Sequence, residues 1–149
     1  MKNFRALGLT LMAAGAVSAQ SATVDQLMMI YVGVGDVDKS KAFYTLLGCK
    51  AVQDYSKDGQ RWVTLELPGG GTTITLSTVM ENLKPGAIAL YLKTADVEAV
   101  WNAVKDKDVK VTQELTKQAW PGSPWAAWFG LADPDGNAVR VVQLKDQAR

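Results

Sequence analysis

The sequence predicts an α+β fold: two tandem βαβββ modules whose mixed sheets either curl together around a cleft or are closed by a second chain. Three observations point there. Runs of β-forming residues bounded by Gly, Pro and Asp are interrupted twice by short amphipathic segments. Each amphipathic segment follows an aspartate placed to cap a helix. The whole order of elements then occurs twice, and a duplicated unit of this size does not bury its core alone.

Leu27 to Val34 is apolar and rich in β-formers, so it is the first expected strand. Asp36 or Asp38 caps a helix running through Lys39 to Leu47, with Phe43, Leu46 and Leu47 as its apolar face and Gly48 as its stop. Lys50 to Asp54, Gln60 to Leu67 and Thr72 to Val79 follow as strands, separated by Lys57-Asp58-Gly59-Gln60 and Pro68-Gly69-Gly70-Gly71. The second unit begins with a strand at Ala87 to Lys93. Asp96 then caps a helix through Lys105 with Val97, Val100, Trp101 and Val104 at helical spacing. Val109 to Gln113, Trp125 to Leu131 and Ala138 to Leu144 complete it. Aligning Met29-Ile30-Tyr31-Val32 with Ala87-Ile88-Ala89-Leu90 gives an offset of 58, which also sets Phe43 on Trp101; Trp62 falls on Trp128 at 66. The modules span about 24–80 and 86–145, joined by a linker holding Pro85-Gly86.

Composition narrows the function. The 149 residues are 48% hydrophobic, ample for a packed domain, and the formal charge of +1 includes no basic block that would favour nucleic acid. One cysteine excludes an intrachain disulfide. Its neighbours Leu46, Leu47 and Gly48 make Cys49 a buried small hydrophobe rather than a nucleophile. The absence of histidine removes Ser-His-Asp and Cys-His catalysis, His-ligated zinc and the two-histidine iron site together.

The N-terminus has the layout of an export signal. Lys2 and Arg5 precede an uncharged stretch from Ala6 to Ala16, and Val17-Ser18-Ala19 presents small residues for cleavage between Ala19 and Gln20. The expectation is a signal peptide over residues 1–19, a mature domain over 20–149 and a periplasmic or secreted location. No stable membrane insertion is expected after cleavage.

Asp36-Val37-Asp38-Lys39-Ser40-Lys41-Ala42-Phe43-Tyr44, then Leu47-Gly48, then Asp133-Pro134-Asp135-Gly136-Asn137 resemble the vicinal oxygen chelate superfamily. That group includes glyoxalase I, extradiol dioxygenases, fosfomycin-resistance transferases and bleomycin-resistance proteins. The resemblance covers residues 27 to 144. It implies paired βαβββ modules forming a curved mixed sheet around a ligand cleft, the glyoxalase/bleomycin-resistance fold, and often a homodimer. In metal-dependent members the ligands come from the first and last strand of each module. The corresponding positions here are Met29, Thr75, Ala87 and Arg140, a set unsuited to a divalent cation, so no metal, cofactor or catalytic residue is expected. The Asp-Pro-Asp-Gly-Asn segment has turn chemistry of its own, and Asp133 and Asp135 are expected to be structural.

Alternate strand residues share a face. The face of those four positions therefore includes Met29, Tyr31, Thr75, Tyr91 and Arg140, which are the candidate ligand-binding residues. Arg140 has two open assignments: an anion of the ligand, held with Tyr31 or Tyr91, or an internal acid such as Glu66. Trp120 and Trp125, in a Pro/Gly-rich loop, are candidates for a ligand lid or dimer contact, while Trp62, Trp101 and Trp128 are expected in the core. The favoured function is metal-free binding or sequestration of a small molecule, aromatic or anionic, by an exported homodimer. A metal-independent lyase or isomerase using Tyr31, Tyr91, Glu66 and Arg140 is the alternative, and an interaction module docking through the Trp loop is a third.

Overall fold

The computed structural model describes residues 26–78, 83–117 and 121–145. The expected export signal and Trp120 lie outside these residues. Each module is a four-stranded mixed sheet with one helix. The first comprises β1 (Met29–Gly33), α1 (Val37–Leu46), β2 (Lys50–Lys57), β3 (Gln60–Glu66) and β4 (Thr73–Ser77), in the sheet order β1-β4-β3-β2. The second comprises β5 (Ala89–Lys93), α2 (Val97–Val104), β6 (Lys110–Thr116), β7 (Trp125–Ala132) and β8 (Ala138–Leu144), in the order β5-β8-β7-β6. The first and last strands of each module pair in parallel; the other pairings are antiparallel.

Local chemistry sets the element ends. The Asp36 carboxylate accepts from the backbone N–H of Asp38 and Lys39 at 3.0 and 3.1 Å, and Asp96 accepts from Ala99 at 2.9 Å, so each helix starts on a side-chain cap. These bonds hold Asp36 below the usual carboxylate range. Past α1, Gly48 adopts φ 90° and its N–H closes on the Thr45 carbonyl at 2.9 Å, a left-handed stop that a side chain would strain. Asp58 and Gly59, both at positive φ, form the two-residue turn between β2 and β3.

The two faces of each sheet differ in chemistry. Val32, Val63, Leu65, Ile74 and Leu76 are buried in a core that includes Phe43 and Tyr44 of α1; Leu90, Phe129, Leu131, Val139 and Val141 join it with Val97 and Val104 of α2. The residues between them along each strand point the other way. Trp101 packs at the core margin with its ring 5.3 Å from Phe129.

An ion network ties α1 to the β2–β3 hairpin. Arg61 donates to both oxygens of Asp54 and both of Asp38, and Lys41 reaches Asp54 at 3.3 Å. The Arg61 hydrogen bonds hold Asp54 down to about 2. A depressed carboxylate stabilises the fold fully above its unfolded value of about 4 and loses that contribution as pH falls toward the folded one. The gap in urea midpoint between the wild type and Asp54→Asn is therefore expected to hold from pH 7 to about 4 and to close between about 4 and 2. A gap unchanged over that interval would show that the network does not act through charge.

Candidate functional site

In the first module, the strand register sets Tyr31, Thr75, Thr64 and Gln53 side by side on the face away from α1. Met29, Tyr31 and Thr75 line a pocket of 270 Å³ there, with Gln53, Tyr55, Trp62 and Thr64. Its polar floor is the Thr64 and Thr75 hydroxyls, 3.1 Å apart and buried. Its aromatic wall is Tyr55 and Trp62, with ring centroids 5.7 Å apart.

In the second module, the matching row is Tyr91, Arg140, Gly130 and Gln113. Arg140 Nε donates to the Tyr91 hydroxyl at 3.3 Å. The guanidinium carbon lies 5.3 Å from the Trp128 ring centroid and 5.9 Å from that of Tyr91, within cation–π range. Trp125 completes the cluster, 5.8 Å from Tyr91 and 5.7 Å from Trp128. Gly130 makes room for it: a Cβ there would stand 2.8 Å from the Thr112 hydroxyl and 3.4 Å from Arg140 Nη1. Among the described residues no carboxylate pairs with Arg140. Glu66 is exposed in the other module and makes no ion pair with Arg140.

Three expectations change. The offset between the modules is 60 over the first strand and helix, not 58. The caps Asp36 and Asp96 coincide at 60, and so do Tyr31 and Tyr91, which pair with Thr75 and Arg140 respectively. Phe43 therefore does not match Trp101, and Ala89, not Ala87, is the counterpart of Met29. Trp62 and Trp128 are half-buried on the open faces rather than in the core, because their neighbours Val63 and Phe129 take the core side. Finally, the candidates fall into two half-sites. Met29, Tyr31 and Thr75 share one pocket, and Tyr91, Trp125 and Arg140 form a second cluster. The pattern missed Gln53, Tyr55, Trp62, Thr64, Trp128 and Gly130; strand alternation alone would have placed all six on this face.

The four positions that the resemblance associates with a metal are thus Met29, Thr75, Ala89 and Arg140. A thioether, a hydroxyl already bonded to its neighbour, a methyl and a cation do not make a seat for a divalent ion. Among the described residues no group of three or more His, Cys, Asp or Glu side chains is placed to hold one. Cys49 is buried, which pushes its thiol pKa up and makes it a poor nucleophile.

The Asp133–Asn137 turn joins the modules. Asp133 accepts from the backbone N–H of Asp135 and Asn137 at 3.0 and 2.8 Å, from Asn137 Nδ2 at 2.9 Å, and from the Tyr44 hydroxyl of α1 at 2.9 Å. Asp135 accepts from Gly35 N–H at 2.7 Å and the Ser40 hydroxyl at 2.9 Å. Burial first, and then the Asp133 charge, push the Tyr44 pKa far above the usual tyrosine range, so its hydroxyl remains a donor. The structural role expected of both aspartates is therefore observed. Beside this clasp runs a groove of 620 Å³ between Lys39–Leu46 of α1 and residues 108–110 and 132–134.

The profile of the Glyoxalase/Bleomycin resistance protein/Dioxygenase superfamily matches residues 23–141. The structure of TnmS3, an antibiotic binding protein from Streptomyces sp. CB03234, aligns with a TM-score of 0.71 at 25% identity, over 83% of this chain and 99% of that one. A glyoxalase/bleomycin resistance protein from the same organism gives 0.65 at 27% identity, over 78% and 98%. A member of the superfamily from Sphaerobacter thermophilus gives 0.63 at 25% identity, over 80% and 98%. An uncharacterized protein of Mycolicibacterium smegmatis is 31% identical over 74 residues, half of this chain, and the match spans 60% of the length of that curated relative.

Proposed function

The chain belongs to the Glyoxalase/Bleomycin resistance protein/Dioxygenase superfamily, and from that premise we propose that it binds small organic molecules on the open faces of its two modules and sequesters them without converting them. The observation that carries this is the donor set. Where metal-assisted chemistry needs oxygen or nitrogen ligands, this chain has Met29, Thr75, Ala89 and Arg140, surrounded by Tyr31, Tyr55, Trp62, Tyr91, Trp125 and Trp128. Aromatic walls with a few fixed polar groups suit capture of a planar ligand. Likeness to an antibiotic binding protein supports the same class of function.

The working protein in this proposal is a homodimer. Leu27, Met28 and Val52, outside both half-sites, are 63%, 70% and 57% exposed, apolar surface that a second copy covers. Residues 1–19 act as the export signal, which places capture outside the cytoplasm, in the periplasm or beyond the cell. Native mass spectrometry of the mature protein purified from its host tests all of this at once. A dimer starting at Gln20 with a retained organic molecule is expected. Stoichiometric divalent metal would overturn the proposal. Turnover that survives chelation and is lost in Tyr91→Phe would replace it with metal-independent catalysis.

A further inference from the structure

We infer that the half-site of the second module takes the oxyanion of a planar aromatic acid, held end-on by the Nη1–Nη2 edge of Arg140. The inference rests on the binding function proposed above and specifies the ligand class for this half-site.

A half-buried guanidinium ordinarily finds a carboxylate. Arg140 has none among the described residues. Of its five N–H donors, only Nε is used among the described residues, on the Tyr91 hydroxyl. That bond closes off side-on approach to the Nε–Nη2 edge. It leaves the Nη1–Nη2 fork, whose geometry matches the two oxygens of a carboxylate. The Trp128 and Tyr91 rings and the space at Gly130 fix the fork before any ligand arrives. Tyr91, Trp125 and Trp128 provide ring surface beside it for an aromatic body.

The other half of the duplication is the internal comparison. Thr75 and Thr64 stand at the register positions of Arg140 and Gly130, and their hydroxyls satisfy each other. The first module therefore has no charge seeking a counter-ion at this place, and the second has one.

Isothermal titration calorimetry with 1-naphthoate, 1-naphthamide and inorganic phosphate separates charge from ring. The wild type is expected to bind naphthoate at least about tenfold more tightly than either other probe. Arg140→Gln is expected to abolish the preference over naphthamide, and a thermal unfolding transition like that of the wild type reports that the variant is folded. Equal affinity for naphthoate and naphthamide, or a preference that survives in Arg140→Gln, overturns the assignment of Arg140 and leaves the binding function standing. Phosphate binding as tightly as naphthoate overturns the aromatic part. No saturable binding of any probe counts against this inference and against the proposed function together.

Discussion

Asp133→Ala is expected to destabilise the protein by roughly 3–5 kcal/mol, lowering the melting temperature by on the order of 10 °C or more. Asp133 is 3% exposed and accepts four hydrogen bonds through two oxygens. Removing it strands the Tyr44 hydroxyl and the Asn137 amide in the interior, and an unsatisfied buried donor costs about 1–3 kcal/mol. Two backbone N–H groups of the turn lose their acceptor as well. Because Tyr44 belongs to one module and Asp133 to the other, the damage falls on their junction. Tyr44→Phe removes one donor and leaves the rest, so its effect is expected to be about 1 kcal/mol. Calorimetric unfolding of the two variants checks the order; a loss below about 1 kcal/mol for Asp133→Ala would show that the clasp is not what holds the junction.

Phe129→Ala is expected to cost about 3–5 kcal/mol through the cavity it leaves, with ligand affinity per folded molecule unchanged. The Phe129 side chain is fully buried and packs against the tilted Trp101 ring of α2. Its neighbours on β7, Trp128 and Gly130, face the other side, where Arg140 lies. One strand thus separates stability from binding at successive residues. Urea midpoints and naphthoate titration on the same preparation check this; an affinity change of more than about threefold would mean that the core and the ligand face are coupled.

The modules, their helices and most strand positions were legible because they rest on local signals: Asp36 and Asp96 as caps, Gly48 as a stop, Asp58-Gly59 as a turn. The repeat offset was harder. Short apolar strands match themselves equally well when slipped by two, since two residues restore the same face. Only the caps break that ambiguity, and they give 60. Trp62 and Trp128 look like core by size, yet alternation with Val63, Leu65 and Phe129 sends them outward. The groove beside α1 was not legible at all, because Leu46, Val109 and Pro134 meet only after both modules have folded and docked.

The parallel pairing of β1 with β4 and of β5 with β8 carries a consequence for how the chain acquires its shape. Met29 waits for Thr73, and Ala89 for Ala138, while the hairpin at Asp58-Gly59 needs only its immediate neighbours. Each sheet is therefore seeded at its turn and sealed by its oldest segment, so the slow kinetic event is recruitment of the strand that was synthesised first. A ribosome that delays the last strand of a module postpones that sealing, and during the delay the leading strand's hydrogen-bonding edge is open to any passing chain.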